Sequence, residues 1–306
     1  MRREATLDHA AYRTRPAPFE RSVPVLSWLS RKNRGWYLLA YVLLALLSVW
    51  TIFPFYWQLA TSLRADVDLY SASVALVPQA LTPEHYAKIF SRGSPFSTQF
   101  ANSFIVALGT TIAATAIGSM AAYALARLTF LGRAGLARVL VYAYLAPGTM
   151  LFIPLFVMMN NLNLRDNLFG LVLAHLTFAV PFATWLLMGY FRTLPVELEE
   201  AAMVDGASRL QALRLIVLPL SAPALVVAAV FAFTLSWNEF LYALVLLQAQ
   251  DKMTAPVGLA NYVVGDVFYW GQMMAAATVL SIPPLVLYLF GQRWVIAGWT
   301  AGAVKS

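Results

Sequence analysis

The sequence predicts an all-α, polytopic membrane protein built from six transmembrane helices. Of the 306 residues, 60% are hydrophobic and only 11% are charged, whereas a soluble domain carries about 25% charged residues. A spanning helix needs about 20 mostly apolar residues. In lipid, a single segment can pair all its backbone groups only by forming a helix. Six segments qualify as spans: Trp36–Thr61, Phe100–Leu125, Val139–Met158, Leu168–Tyr190, Leu220–Leu246 and Met273–Ile296.

The segment before the first span, residues 1–35, is a basic tail that we expect to be partly disordered. The first apolar run begins only at Trp36. It is too long for the apolar core of a secretory signal, which has about 7–15 residues. We therefore predict that this run is a retained transmembrane helix, and that residues 36–306 form one membrane domain.

The basic residues are distributed unevenly between the predicted loops. Sixteen of the 21 Lys and Arg lie in the N-terminal tail, in the loops after spans two and four, and at the C-terminal end. Cytoplasmic loops carry such an excess. Both termini and the loop 192–219 are therefore predicted to be cytoplasmic, and the loops 62–99 and 247–272 to lie outside. The basic residues behind the net charge of +7 are expected to set this orientation. We therefore predict no nucleic-acid partner.

The spans contain residues that shape helix packing. The second span is rich in alanine and glycine, which let neighbouring helices approach closely. Proline kinks a helix and frees a carbonyl, so kinks are expected in several spans, at Pro54, Pro147, Pro154, Pro181, Pro223, Pro283 and Pro284.

Several kinds of chemistry are excluded or disfavoured. The chain has no cysteine, and its histidines, His9, His85 and His175, are far apart in sequence, so no metal site or catalytic residue is expected. His175 is interpreted as a polar helix-packing residue. No lysine follows a glycine, as a phosphate-binding loop would require. The chain is thus predicted to bind no cofactor and to be no enzyme.

The loop 192–219 differs from the spans in being polar. Acidic residues crowd the start of a short predicted helix, where they favour the positive end of its dipole. Gly206 is placed to end that helix in a left-handed conformation, and a second amphipathic stretch leads to Pro219. Helices that lie on a bilayer are usually rich in Lys and Arg. The acidic face therefore favours docking to a partner protein, with Glu200 and Asp205 offering charge-assisted contacts.

This loop resembles the EAA loop of bacterial ABC importer permeases, and the flanking sequence resembles the carbohydrate-importer, MalG-like branch. The matching loop residues are Glu200, Ala201, Ala202, Asp205, Gly206, Ala207, Ile216, Leu218 and Pro219. The branch is indicated by Trp237-Asn238-Glu239-Phe240 and by the ending Gly298 to Ser306, with support from Asn102-Ser103, Ala121 to Arg127, Ile153 to Leu155 and Leu194-Pro195.

The resemblance implies a MetI/MalG-like bundle in the inner membrane of a prokaryote. It also implies a second, MalF-like permease subunit, two cytoplasmic ATPase subunits that bind ATP and Mg, and an extracytoplasmic solute-binding protein that delivers the carbohydrate. The EAA loop would couple to an ATPase. The tail 297–306, including Gly302, Ala303, Val304 and Lys305, would reach between the ATPases, and the loop 247–272 would contact the binding protein.

Two questions stay open at the level of sequence. Glu239 is an ionisable residue within a span, which marks a functional candidate. Asn238 and Glu239 could bind sugar hydroxyls beside the rings of Trp237 or Tyr242, or Glu239 could bond a neighbouring helix; the structural role is favoured. The alternative to an importer subunit is a self-contained secondary carrier or channel, although no facing carboxylates or internal repeat support it.

Overall fold

A computed structural model of the chain describes residues 34–71, 75–78 and 80–303, and it describes side chains as far as Trp294. The regular secondary structure of these residues is helical apart from one hairpin and an isolated β-bridge between Arg64 and Leu81. The predicted tail 1–35 lies almost wholly outside it. The elements are α1 (Arg34–Ser62), α2 (Asp66–Leu69), α3 (Glu84–Ile89), α4 (Phe96–Arg127), α5 (Arg133–Leu145), α6 (Gly148–Asn161), α7 (Leu168–Phe191), α8 (Glu197–Val204), α9 (Arg209–Ala212), a π-helical segment (Leu213–Val217), α10 (Leu218–Leu220), α11 (Ala222–Trp237), α12 (Leu241–Leu246), α13 (Ala255–Ala260), β1 (Val263–Val264), β2 (Val267–Phe268) and α14 (Trp270–Ala303).

The chain divides into two units, residues 1–55 and 56–306. The described part of the first unit is the N-terminal portion of α1, whose apolar side chains are exposed, as at Trp50 and Leu38. The second unit contains every other element, with a core of tightly packed helices. The antiparallel hairpin of β1 and β2 belongs to this second unit.

Four described helices are long and apolar enough to cross a membrane: α1, α4, α7 and α14. They coincide with the first, second, fourth and sixth predicted spans. Two further helix pairs are sharply bent, and the number of spans rises to as many as six if each pair crosses as one unit. The structure therefore supports a polytopic helical bundle with four to six spans.

The third predicted span, Val139–Met158, is not one continuous helix. α5 ends at Leu145, α6 begins at Gly148, and the two axes meet at 98°. Pro147 disfavours helical backbone in the residue before it, and Ala146 is accordingly extended, with φ −62° and ψ 132°. Other prolines, including Pro54 and Pro181, lie inside continuous helices, so only some of the predicted kinks become breaks.

The fifth predicted span, Leu220–Leu246, is likewise not one continuous helix. At its start the chain bends by 83° between Leu220 and Ala222, where Pro223 cannot donate a backbone hydrogen bond to the preceding turn. Near its end the helix stops at Trp237 and restarts at Leu241. This second break contains no proline, and its cause is a side chain described below.

The packing of α4 against α7 is the most extensive helix contact among the described residues. A Cβ atom built on Gly118 of α4 would lie 2.8 Å from Ala183 Cβ and 3.3 Å from the Thr184 backbone nitrogen, both on α7. The small residues of the predicted second span therefore serve close helix approach. Ala114 and Ala122, one turn to either side of Gly118, are fully buried.

The two ends of α4 hold different loops. Near its start, Asn102 Nδ2 donates to the backbone oxygens of Asp251 and Met253, at 2.8 and 3.0 Å, and Ser103 Oγ accepts from Ala255 N at 2.8 Å. Arg127, about 37 Å further along the helix axis, contacts the segment between α7 and α8. The loops 247–272 and 192–219 thus lie at opposite ends of the bundle, as the charge pattern predicts.

We predict that Gly118→Ala lowers the thermal stability of the purified chain in detergent relative to Gly109→Ala. Both changes gain about 1 kcal/mol of helix propensity. At Gly109 the added Cβ meets only Val172 Cγ2 at 3.4 Å, whereas at Gly118 it meets the unyielding Ala183 Cβ. Overpacking costs about 1–3 kcal/mol. Equal melting temperatures for the two variants would contradict the close contact.

Candidate functional site

The loop between α7 and α11 is a helix, a glycine turn and a second helix, as the sequence predicts. α8 is closed at its end by Asp205, and Gly206 follows with φ +93°. This left-handed conformation suits glycine because it has no Cβ. The turn is held by a bond from Gly206 N to Met203 O at 3.1 Å and one from Ala207 N to Ala202 O at 2.9 Å.

The second helix of this loop begins at a capping box. Gln211 N donates to Ser208 Oγ at 3.3 Å, and Ser208 N donates to Gln211 Oε1 at 2.7 Å. These reciprocal bonds satisfy two backbone donors that a helix start otherwise leaves unpaired. The helix then widens into the π-helical segment Leu213–Val217 before the bend at Ser221. Such π-helical insertions are rare and often accompany function.

The inner face of this second helix is fixed to the bundle. Ala212, Leu213 and Val217 are at most 4% exposed. Leu213 and Val217 belong to one apolar cluster with the ends of α4 and α7 and the start of α11: Ala122, Tyr123, Leu125, Ala183, Leu187, Met188, Phe191, Ala224 and Ala228. A displacement of this helix would therefore act directly on α4, α7 and α11.

The first helix of the loop is fixed by a buried ion pair. Arg127 Nε, at the end of α4, lies 2.6 Å from Glu199 Oε1, and both side chains are almost fully buried, at 11% and 4% exposed. Arg127 Nη2 also donates to Leu194 O at 2.9 Å. Charge-assisted hydrogen bonds of this kind are strong and directional. The pair ties α8 and its preceding turn to α4.

Sequence reasoning did not find this ion pair. In the sequence, Arg127 is one of the basic residues that predict membrane orientation, and Glu199 is one of several acidic residues at the start of a helix. Glu197, Glu199 and Glu200 look alike in sequence, yet successive residues on a helix point about 100° apart. Only Glu199 faces inward, with a relative exposure of 3%.

The outward face of the loop 192–219 carries both charged and apolar side chains. Within the described residues, no other element packs against this face. Exposed apolar side chains flank its charges: Val204 is 86% exposed and Leu210 is 67% exposed. Of the predicted coupling residues, Glu200, Ala201, Asp205, Gly206 and Pro219 are exposed, whereas Ala202, Ala207 and Ile216 are half-buried.

The second candidate site surrounds the break between α11 and α12, and the structure corrects one part of its predicted arrangement. Trp237 is only 2% exposed. Its ring stacks on Phe233 with centroids 5.4 Å apart, and its Nε1 donates to Leu280 O of α14 at 3.1 Å. Its apolar surface is used within the helix core, so in this structure Trp237 offers no ring to a solute.

Glu239 lies in the break and bonds to protein on both of its oxygens. Oε1 accepts from Tyr242 N at 2.7 Å, and Oε2 accepts from Ala243 N at 3.0 Å. Oε2 also lies 3.3 Å from His175 Nε2 on α7. The carboxylate therefore pairs backbone donors of the first turn of α12, and it bonds a neighbouring helix as the structural interpretation expects.

A groove of about 550 Å³ opens beside this break. Asn238 is exposed there, Tyr242 reaches across to donate from its hydroxyl to Gly148 O at 2.7 Å, and aromatic rings such as Phe178 line the wall. An amide beside aromatic faces is suited to an uncharged polar solute. The groove thus contains three of the four predicted pathway residues: Asn238, Glu239 and Tyr242.

The remaining predictions concern metal ions and the C-terminal tail. No cluster of three His, Cys, Asp or Glu residues that could hold a metal ion occurs in the described part of the chain. For Gly302 and Ala303 only the helical backbone is described, and Val304 and Lys305 lie outside the described residues. The predicted role of these residues stays a prediction.

Comparison with known proteins identifies similar sequences along most of the chain. The profile of a family described as "Binding-protein-dependent transport system inner membrane component" matches residues 114–300. The inner membrane ABC transporter permease protein YcjP of Escherichia coli is 37% identical over 264 residues, which are 86% of this chain and 94% of that protein. The trehalose transport system permease protein SugB of Mycobacterium tuberculosis is 39% identical over 259 residues, 84% of this chain and 93% of that protein.

Solved structures show the same fold. A chain from a bacterial ABC transporter involved in the import of the acidic polysaccharide alginate aligns with a TM-score of 0.75 at 24% identity, over 86% of this chain and 98% of that one. A chain of the MetNI methionine ABC transporter aligns with a TM-score of 0.52 at 19% identity, over 66% of this chain and 94% of that one.

We predict that Arg127→Met lowers the melting temperature of the purified chain and makes the loop 192–219 sensitive to protease. Removing one partner of a buried ion pair leaves the other charge uncompensated, at a cost of about 3–5 kcal/mol. Replacing both partners by apolar residues is often neutral, so Arg127→Met with Glu199→Met should recover most of the loss.

The control for these variants is Arg138→Met. Arg138 is exposed, and among the described residues its side chain bonds to Ala134 O of its own helix. The control variant should leave melting temperature and cleavage unchanged. A double variant as unstable as the sum of its single variants would refute the direct coupling of Arg127 and Glu199.

Proposed function

Because the chain belongs to the family of binding-protein-dependent transport system inner membrane components, we propose that it is a permease subunit of an ATP-driven ABC importer for carbohydrates. It would form half of the translocation pathway. Members of this family are non-catalytic transporter subunits, and the hydrolysis of ATP belongs to partner subunits. The single observation that carries the coupling part of the proposal is the loop 192–219, with its outward face uncovered and its inner face anchored to three long helices.

The substrate class is proposed from the relatives. The similar proteins include permeases named for trehalose in Mycobacterium tuberculosis and for diacetylchitobiose in Streptomyces coelicolor. The groove beside Asn238 supports the same class, because an exposed amide and aromatic rings suit sugar hydroxyls and the apolar face of a pyranose ring. Glu239, whose oxygens already bond to protein, is better suited to shaping this groove than to holding a charged solute.

The partners follow from the same family. We propose a second, MalF-like permease subunit, two ATPase subunits that bind ATP and Mg, and a solute-binding protein. With the basic loops inside, α8 faces the cytoplasm and the loop 247–272 faces the binding protein. The C-terminal residues 297–306 are proposed to contact the ATPases.

The coupling mechanism that we propose uses two rigid connections. An ATPase that moves against Glu200, Val204 and Asp205 would displace α8. The Arg127–Glu199 pair would carry that displacement to α4, and the buried side of the second helix would carry it to α7 and α11. Because packed cores transmit strain and do not deform continuously, the bundle would rock as a body about a site near the midplane.

We predict that Glu200→Lys reduces ATP-driven sugar uptake by the assembled transporter at least tenfold. The reversed charge would meet basic side chains on the partner. The same variant should weaken co-purification of the ATPase subunits in a salt-dependent way, because exposed charge pairs are screened by salt.

The matched control for this test is Glu84→Lys. Glu84 is also exposed in the first turn of a short helix, where it pairs with Lys88 of the same helix. It lies in the segment 62–99, which is joined to the loop 247–272 by a hydrogen bond from the Tyr70 hydroxyl to Phe268 O. It should leave co-purification of the ATPase subunits unchanged. Normal uptake and normal ATPase binding with Glu200→Lys would remove the support for coupling through this loop.

A further inference from the structure

The break between α11 and α12 is joined to α4 and α7 by a chain of polar side chains. Ser236, just before the break, lies with its Oγ 2.7 Å from His175 Nδ1 and 3.3 Å from Thr110 Oγ1. His175 in turn lies beside Glu239 with its Nε2. His175 is 1% exposed and Thr110 is fully buried, so water does not compete for these bonds.

The hydrogen bonds around His175 call for a proton on Nε2, the nitrogen that faces Glu239. Both oxygens of Glu239 already accept backbone N–H groups, from Tyr242 and Ala243, and Oε2 is also placed to accept from the His175 ring. Nε2 of His175 must then donate. On the other side of the ring, Nδ1 bonds the Ser236 hydroxyl, which itself donates to Thr110 Oγ1.

We propose that His175 is a positioning residue that holds Glu239 against the first turn of α12 and so fixes the shape of the groove at Asn238. Without the Nε2 donor, a carboxylate in an apolar bundle keeps only its two bonds to a six-residue helix. The helix start then opens, because losing a hydrogen bond to a buried charge is costly. The part of this inference that concerns transport rests on the proposed function; the part that concerns the helix does not.

A competing explanation is that His175 only fills space. Its ring lies 5.4 Å from the Phe178 ring and 6.4 Å from the Tyr242 ring, measured between centroids. Two polar substitutions separate the explanations. The amide of glutamine can occupy the place of Nε2, so His175→Gln keeps a donor for Glu239. The shorter His175→Asn keeps an amide near Ser236 and cannot reach Glu239.

The experiment measures the opening of α12 by thiol labelling in the assembled transporter. The chain contains no cysteine, so Ala243→Cys introduces one thiol at a position that is fully buried and bonded to Glu239. A small water-soluble methanethiosulfonate reagent should label it slowly. His175→Asn should speed labelling by roughly tenfold to a hundredfold, the range for losing a hydrogen bond to a charged group, and His175→Gln should leave the rate within about twofold.

Gln248→Cys, at an exposed position just beyond α12 and outside the groove lining, is the control for reagent access, and it should label at the same rate in all backgrounds. Equal labelling of Ala243→Cys in the His175→Asn and His175→Gln backgrounds, whether fast or slow, would overturn the proposal. If His175→Asn fails to assemble, Glu239→Gln replaces it, because an amide nitrogen cannot accept the second backbone N–H; unchanged labelling in that variant would also overturn the proposal.

Sugar uptake by the same variants extends the test. His175→Asn should raise the KM for uptake more than it lowers kcat, and His175→Gln should restore it. An active parent with no difference between the two variants would overturn the transport part alone. A parent with no ATP-driven uptake would instead contradict the proposed function, and the labelling result would stand by itself.

Discussion

The close contact of α4 with α7 is the interaction on which the other features of the second unit depend. Gly118 allows the two backbones to approach, and this approach brings polar residues of both helices within reach of the same neighbours. Thr110 of α4 and His175 of α7 meet Ser236 of α11 in this way. One pair of helices thus holds the broken helix, and the ends of the same pair hold the loops.

A second constraint is that a helix break inside an apolar bundle must satisfy its own backbone. Water is not available there to pair free donors and acceptors, and each unpaired group is costly. Glu239 meets this need at the start of α12 with its two oxygens, and the Tyr242 hydroxyl pairs the Gly148 carbonyl at the start of α6. The break between α11 and α12 is therefore linked through α12 to the break between α5 and α6. This link fixes the shape of the groove between them.

The sequence predicts the features that composition and local rules control. Long apolar runs locate α1, α4, α7 and α14, and the αL position of Gly206 follows from glycine's lack of a Cβ. It does not predict the break at Asn238, because no proline lies there and the helix is interrupted by a carboxylate that reaches forward along the chain. Nor does it separate Glu199 from Glu200, since the inward direction is set by where Arg127 lies on another helix. Both the break at Asn238 and the inward direction of Glu199 depend on contacts in the folded structure, which a single sequence does not reveal.

Reconstitution in liposomes distinguishes a chain that moves a carbohydrate only within an ATP-driven assembly, as we propose, from one that transports by itself. The chain would be purified alone and also with the proposed partners: a second permease subunit, ATPase subunits and a solute-binding protein. We expect uptake of the sugar held by that binding protein only in the complete assembly with ATP and Mg, and none from the chain alone. Uptake by the chain alone, driven by a solute or ion gradient and indifferent to ATP, would contradict the account and identify a self-contained carrier or channel.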